Sequence, residues 1–194
     1  MTIITDEQVA YINDGGVIAY PTSTLPGLGC LPTKEGLDTL FELKSRSPDK
    51  PVSIGVASLD QVAHMVDIDP RIVEFVDAFP RGGLSVIYPA QQSLDARIGG
   101  QSVAIRVFDH PSARALALAV GPVTATSANE AGEEPANTVA EAASELGLPD
   151  VAVVAGNRET GPGSTFVKID FDSDEPLVTI CLLYTSPSPR DPTK

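Results

Sequence analysis

Short apolar runs alternate along the chain with stretches whose apolar positions recur every three or four residues, the strand and helix periods respectively. The runs predict strands over 16–20, 52–57, 84–88, 103–107, 123–125, 151–154 and 165–169, and another is under way over 176–180. Several are apolar on both faces, as strands are when helices cover a sheet on either side. Helix starts carry capping boxes: Thr5-x-x-Gln8, Ser58-x-x-Gln61 and Thr138-x-x-Glu141, each pairing a hydroxyl and a side-chain amide or carboxylate with opposite backbone donors. Gly15 and Gly147 stand where helices should end. Leu37, Leu40, Phe41 and Lys44 share one face of a helix predicted over 34–45, and Pro111 opens another running to Val120. The runs 84–88 and 103–107 follow each other with no helix between them. Strict strand–helix alternation therefore fails, and the expectation is a single α/β domain of three-layer type around a mixed sheet.

Composition narrows the function. At 194 residues and 42% hydrophobic, the chain can bury one good core. It has no run of eighteen apolar residues, and its N-terminus has neither the basic region nor the apolar core of a signal peptide, so a cytoplasmic protein with no membrane contact is expected. Cys30 and Cys181 are too few for a disulfide framework or a zinc cluster. A net charge of -13 argues against binding nucleic acid mainly by phosphate neutralisation, while leaving room for a local basic pocket.

The run Cys181 to Asp191, CLLYTSPSPRD, has no periodicity and breaks into a strand in progress. It matches, residue for residue, the translation of a common transposase sequencing adapter; a Pro/Ser-rich disordered tail is the competing reading. The expected domain is 1–180, with 181–194 a non-native, disordered tail and native sequence continuing beyond Ile180. Cys181, Tyr184 and Arg190 are left out of the functional reading for that reason.

Four polar segments end apolar runs. Pro21-Thr22-Ser23-Thr24 follows a strand directly and exposes hydroxyls where open α/β sheets hold ligands, although taken alone an ordinary Pro/Gly turn comes first. Lys44 and Arg46 lie at a helix end and meet one ligand only if the helix stops between them; Ser47-Pro48 supports such a stop. With Lys50 they cluster in an acidic chain, which favours anion binding over simple complementarity to the helix terminus. Thr126-Ser127-Ala128-Asn129 offers donors and acceptors to a base, ribose or phosphate, or forms a plain Asn/Ser turn. The run 161–165, GPGST, makes an anion-binding nest of backbone amides or a hairpin turn. Arg106 interrupts an apolar strand and needs a partner, either a substrate carboxylate or an internal Asp. His110, before Pro111, reads as a helix cap, and His64 as structural. No metal-ligand spacing, GxSxG or paired-carboxylate arrangement stands out.

Taken together and in order, these segments resemble the YrdC-like family of threonylcarbamoyl-adenylate synthases. The family pattern is P-T-[DE]-T, K-x-R-P, V-R-x-x-x-H-P, S-A-N and S-T before apolar residues. Here it falls on Pro21–Thr24, Lys44–Arg46, Val103 to Pro111, Ser127–Asn129 and Ser164-Thr165, with Phe79 to Ser85 similar to the family's W-P-G-P-L-T. The resemblance covers about residues 5 to 180. Departures are Ser23 for the acid, Leu25-Pro26 for a Val–aromatic pair, Ser47 for proline, and Arg81 and Gly83 for prolines.

The resemblance implies a twisted mixed parallel/antiparallel sheet flanked by helices with a concave pocket. It implies conversion of ATP, L-threonine and bicarbonate to threonylcarbamoyl-AMP and pyrophosphate, for the threonylcarbamoyladenosine modification of tRNA by a downstream transferase complex. By the same resemblance Lys44 and Arg46 hold the triphosphate and carry the catalytic charge neutralisation, with Mg²⁺ bound through the phosphates and no protein metal ligand. Ser102, Thr126, Ser127, Asn129 and Ser164 line the nucleotide site, and Thr22, Thr24 and Arg106 hold threonine. An R-x-G segment that follows the family's last strand would fall in the adapter-like tail, so the chain as given is expected to bind ATP weakly. Two alternatives stand beside this reading: a noncatalytic paralogue binding double-stranded RNA or tRNA on the same surface, consistent with a weak tRNA contact, and a synthase of another carbamoyl or acyl adenylate.

Overall fold

The computed structural model describes residues 3–79, 82–156, 163–170 and 177–182, with only the backbone described at Asp77 and Leu182. The strands are β1 (Ile18–Tyr20), β2 (Gly27–Gly29), β3 (Ser53–Val56), β4 (Leu84–Pro89), β5 (Ser102–Val107), β6 (Val123–Ser127), β7 (Thr165–Asp170) and β8 (Leu177–Leu182). They form one sheet in the order β1-β2-β6-β3-β5-β4-β7-β8. β3 runs parallel to β5 and β4 parallel to β7, while the other pairings are antiparallel. The sheet is mixed where the missing helix predicts it: β4 and β5 pair antiparallel, Val86 opposite Ile105, with only a 3₁₀ turn at Ala96–Ile98 between them.

Side-chain alternation along the strands builds two cores. Ile18 and Tyr20 point to one face and pack with Ile12 of α1 (Asp6–Asn13) and with Leu116 and Ala117 of α4 (Pro111–Val120). Val17 and Ala19 point to the other, where α2 (Lys34–Leu43), α3 (Pro70–Asp77) and α5 (Val139–Glu145) contribute Leu40, Ile72 and Ala142. This is the three-layer arrangement expected. None of the helices among the described residues is long and apolar enough to cross a membrane.

The caps at Thr5 and Thr138 form as reciprocal boxes; in the first, Gln8 N donates to Thr5 Oγ1 at 3.2 Å and Thr5 N to Gln8 Oε1 at 3.1 Å. The third box does not form. Ser58 caps nothing, because Gln61 turns away to accept from Ala57 N at 2.7 Å and donate to Ala117 O at 2.7 Å, tying a four-residue 3₁₀ turn (Leu59–Val62) to α4. His64, just after that turn, is exposed rather than part of a helix. The strand expected over 151–154 is a 3₁₀ turn at Asp150–Ala152, followed by a single bridge from Val153 to Ala19; the turn follows directly on Pro149.

Two elements lie where the periodicity shows nothing. β2 has glycine at both ends, and only glycine allows so close an approach to the neighbouring strand: a Cβ on Gly29 would stand 2.4 Å from Thr124 O. α3 opens at Asp69, whose carboxylate accepts from Arg71 N at 2.9 Å, with Pro70 in its first turn. At the other end of the chain, β8 continues two residues past the boundary expected at Ile180, through Cys181 and Leu182, while 183–194 lie outside the described residues.

Candidate active site

The face of the sheet carrying Tyr20 and Val123 is covered by α1 and α4 over only part of its area, and a cavity of about 240 Å³ opens on it. Its walls come from the first polar segment (Thr22, Thr24), the turn after α2 (Arg46), β5 (Arg106), β6 (Thr126, Ser127) and the start of β7 (Gly163, Ser164). Segments far apart in sequence meet here because β1, β2, β6, β3 and β5 are consecutive neighbours in the sheet. In a chain of net charge -13, the described residues lining this cavity include two arginines and no carboxylate.

α2 stops at Lys44, and Ser45 takes a left-handed conformation (φ 48°); past this turn Arg46 lines the cavity, whereas Lys44 is not among the lining residues and meets the site only through the Ser127 backbone. Lys44 is 1% exposed, and its Nζ donates to Ser127 O at 2.6 Å and to Asn129 O. Burial, reinforced by the Arg46 charge, pulls its ammonium down to about 8 from an ordinary 10.5. Ala131 N returns a hydrogen bond to Lys44 O at 3.0 Å, so the helix end and the turn after β6 are stitched together. Arg46 is shaped by its own turn, Nε donating to Lys50 O at 2.6 Å and Nη2 to Pro51 O at 3.0 Å.

Arg106 is 8% exposed and donates from Nε to Gly82 O at 2.9 Å and from Nη2 to Thr24 Oγ1 at 2.9 Å. Burial lowers its pKa, against a smaller opposing influence from Tyr20, whose hydroxyl donates to Thr124 O at 3.0 Å. Among the described residues no internal Asp pairs with it. Thr24 is itself set by Thr22, whose Oγ1 accepts from Thr24 N at 3.1 Å and donates to Leu25 O at 2.7 Å. The Ser23–Pro26 loop therefore closes on its own backbone, as a Pro/Gly turn would, and still presents the Thr24 hydroxyl to Arg106.

Ser164 is buried, with its Oγ 2.9 Å from that of Ser85. Ser85 carries no signal in the sequence beyond its place in the segment similar to W-P-G-P-L-T. Asn129 donates from Nδ2 to Glu130 O at 2.8 Å and Glu133 O at 2.7 Å, and among the described residues its buried Oδ1 has no partner; it does not line the cavity but faces a separate hollow with Glu130, Glu133 and Glu134. The structure does not bring Ser102 to the cavity: it is exposed at the far end of β5, four residues and about 13 Å from Arg106. His110 is the α4 cap, its Nδ1 accepting from Ser112 N at 3.1 Å. Gly161 and Pro162 of the expected nest, with Pro80 and Arg81, lie outside the described residues. Cys30 is buried and pushed up to about 11 by burial, which keeps it a thiol inside the core. Among the described residues no group of three or more His, Cys, Asp or Glu is arranged to hold a metal.

Known proteins are similar to this chain in sequence and in fold. The threonylcarbamoyl-AMP synthase of Aliivibrio fischeri is 35% identical over 163 residues, 80% of this chain and 87% of its own. That of Marinobacter nauticus is 39% identical over 131 residues, 64% of this chain and 69% of its own. The crystal structure of P. abyssi Sua5 complexed with L-threonine superposes with a TM-score of 0.75 at 26% identity, covering 88% of this chain and 51% of that one, so this chain spans about half of the Sua5 chain. E. coli YciO, at 20% identity and a TM-score of 0.71, shares the fold. The family model described as Telomere recombination, Sua5/YciO/YrdC, matches residues 10–179, and the chain belongs to that family.

Proposed function

We propose that this chain is an L-threonylcarbamoyladenylate synthase, joining ATP, L-threonine and bicarbonate into threonylcarbamoyl-AMP with release of pyrophosphate. The observation that carries the reading is the carboxylate-free cavity bearing Arg46 and Arg106 in an otherwise acidic chain. Anions are its natural occupants, and all the substrates bear negative charge. Arg106 and Thr24 take the threonine carboxylate, since a buried guanidinium without an internal carboxylate is complementary to one supplied by a ligand. Arg46, in the cavity wall, and Lys44, which reaches that wall through the Ser127 carbonyl, take the triphosphate; Thr126, Ser127 and Ser164 line the same cavity toward the nucleoside, and Asn129, outside the lining, is tied to it through Lys44.

The reaction asks for positioning and charge neutralisation rather than a protein nucleophile. The threonine amine attacks bicarbonate carbon, water leaves, and the resulting carbamate oxygen attacks the α-phosphorus as pyrophosphate departs. Lys44 and Arg46 offset the charge that grows on the leaving pyrophosphate. Mg²⁺, bound through the phosphates, would supply further charge neutralisation beside that of Lys44 and Arg46. The adenylate then passes to a transferase acting on tRNA adenosine in the cytoplasm. The test is a leave-one-out assay of pyrophosphate release. Release that needs both threonine and bicarbonate supports the reading, and release indifferent to either one defeats it.

A further inference from the structure

A second cavity, of about 370 Å³, lies across the sheet from the first, between β4, β5, the Leu59–Val62 turn and α3. Its walls are mostly apolar. Exposure grades from the buried Val86, Tyr88 and Ile105 to the exposed Asp60 and Val73, so the first three mark its deep end and Asp60 its mouth. The size falls within the range of small-molecule sites, and the floor is formed by a regular antiparallel pair rather than by loops.

One group there has no structural use. Tyr88 is 1% exposed, lines the cavity, and among the described residues nothing hydrogen-bonds its hydroxyl. Tyr20, the comparably buried tyrosine on the other face, donates to Thr124 O, as a buried phenol ordinarily does. Burial raises the pKa of Tyr88 well above its ordinary value, so the group stays a neutral donor. Arg114 also lines the cavity, but its Nη1 is engaged with Ala57 O at 2.7 Å and Phe108 O at 3.3 Å. A neutral donor at the deep end of a mostly apolar slot suits an uncharged acceptor such as an alcohol, phenol or ketone.

The cavity also touches the candidate active site. Gly82 lines it, and the carbonyl of the same residue accepts from Arg106 Nε on the other side. Gly82 has φ 73°, and a Cβ there would stand 2.4 Å from Ser23 Oγ, so the segment has little room to shift without moving Arg106 or the Ser23 loop.

We propose that this cavity is an effector site for a small apolar molecule carrying one uncharged hydrogen-bond acceptor, and that its occupancy is felt at Arg106 through Gly82. The coupling rests on Arg106 holding threonine; the site itself does not. Calorimetric titration of the full chain with 2-naphthol, and with naphthalene as the acceptor-free control, tests it. Tyr88→Phe is expected to weaken 2-naphthol about fivefold and leave naphthalene unchanged. Val76→Trp, on the α3 wall, is expected to abolish both, with circular dichroism confirming the fold. No binding of 2-naphthol, or binding indifferent to both substitutions, overturns the site. Threonine affinity, also read by calorimetry, is expected to change when 2-naphthol is bound. An unchanged threonine affinity overturns the coupling, whereas a protein that binds 2-naphthol but no threonine overturns the proposed function and not the site.

Discussion

The pH dependence of ATP binding is a quantitative consequence of where Lys44 sits. Lys44 is 1% exposed, its ammonium is hydrogen-bonded to carbonyls alone among the described residues, and burial pulls it down to about 8. A bound triphosphate favours the charged form and raises that value. Above about pH 8 the free protein has lost the proton that the complex keeps, so binding must take one up. The affinity then falls by up to tenfold for each pH unit above the free-protein value, which makes ATP about tenfold weaker at about pH 9 than at about pH 7. Isothermal titration with a nonhydrolysable ATP analogue, in two buffers of different ionisation enthalpy, reads both the affinity and the proton uptake. Lys44→Met, which fills the same slot without a charge, is expected to bind weakly and to lose the dependence. A flat profile in the wild type, or the same slope in Lys44→Met, would refute the assignment of Lys44 to the phosphates.

The same shift has a stability consequence, and its sign is opposite to that of an ion-paired lysine. The folded value lies below the unfolded one, so between about 8 and 10.5 the unfolded chain binds more protons and stability rises with pH. Relative to Lys44→Met, wild type should gain about 3 kcal/mol across that window, measured by urea midpoints; a constant difference would argue against it. Arg106→Lys should raise the threonine KM at least about tenfold while leaving ATP affinity intact, because a point charge cannot replace the fork that meets Gly82 O and Thr24 Oγ1. A Cβ on Gly55 would sit 1.9 Å from Phe108 Cζ, inside a core cluster, so Gly55→Ala should cost about 1–3 kcal/mol in chemical denaturation and an unchanged midpoint would contradict the packing. Replacing 181–194 with the arginine-bearing C-terminal segment of a family relative should strengthen ATP binding; equal affinity would sink the idea that the tail lacks a nucleotide contact.

Much of this architecture is legible in the sequence because local and global preferences agree. The Thr5 and Thr138 boxes and the Pro111 start are local hydrogen-bond and dihedral requirements, and they appear where the pattern puts them. The Ser58 box fails because Gln61 finds a better use across the molecule, on Ala117 of α4, which no local pattern contains. β2 is invisible for a related reason: glycine weakens a strand on its own, and only the close approach of Thr124 O rewards it. The site shows the same division. Lys44, Arg46 and Arg106 are conspicuous as cations against an acidic background, and the resemblance supplies their order. Ser85 is not, since a serine inside an apolar run acquires meaning only when β7 brings Ser164 to within 2.9 Å. Ser102, included on resemblance alone, stands exposed away from the cavity lining.

The central claim concerns which bonds are made, and isotopes read them directly. The chain is incubated with ATP, Mg²⁺, ¹³C-bicarbonate and ¹⁵N-threonine, and the adenylate is analysed by mass spectrometry. The account predicts one product carrying both labels, with pyrophosphate formed in equal amount. An adenylate carrying the threonine label without the bicarbonate carbon, or ATP binding with no labelled adenylate at all, would contradict it.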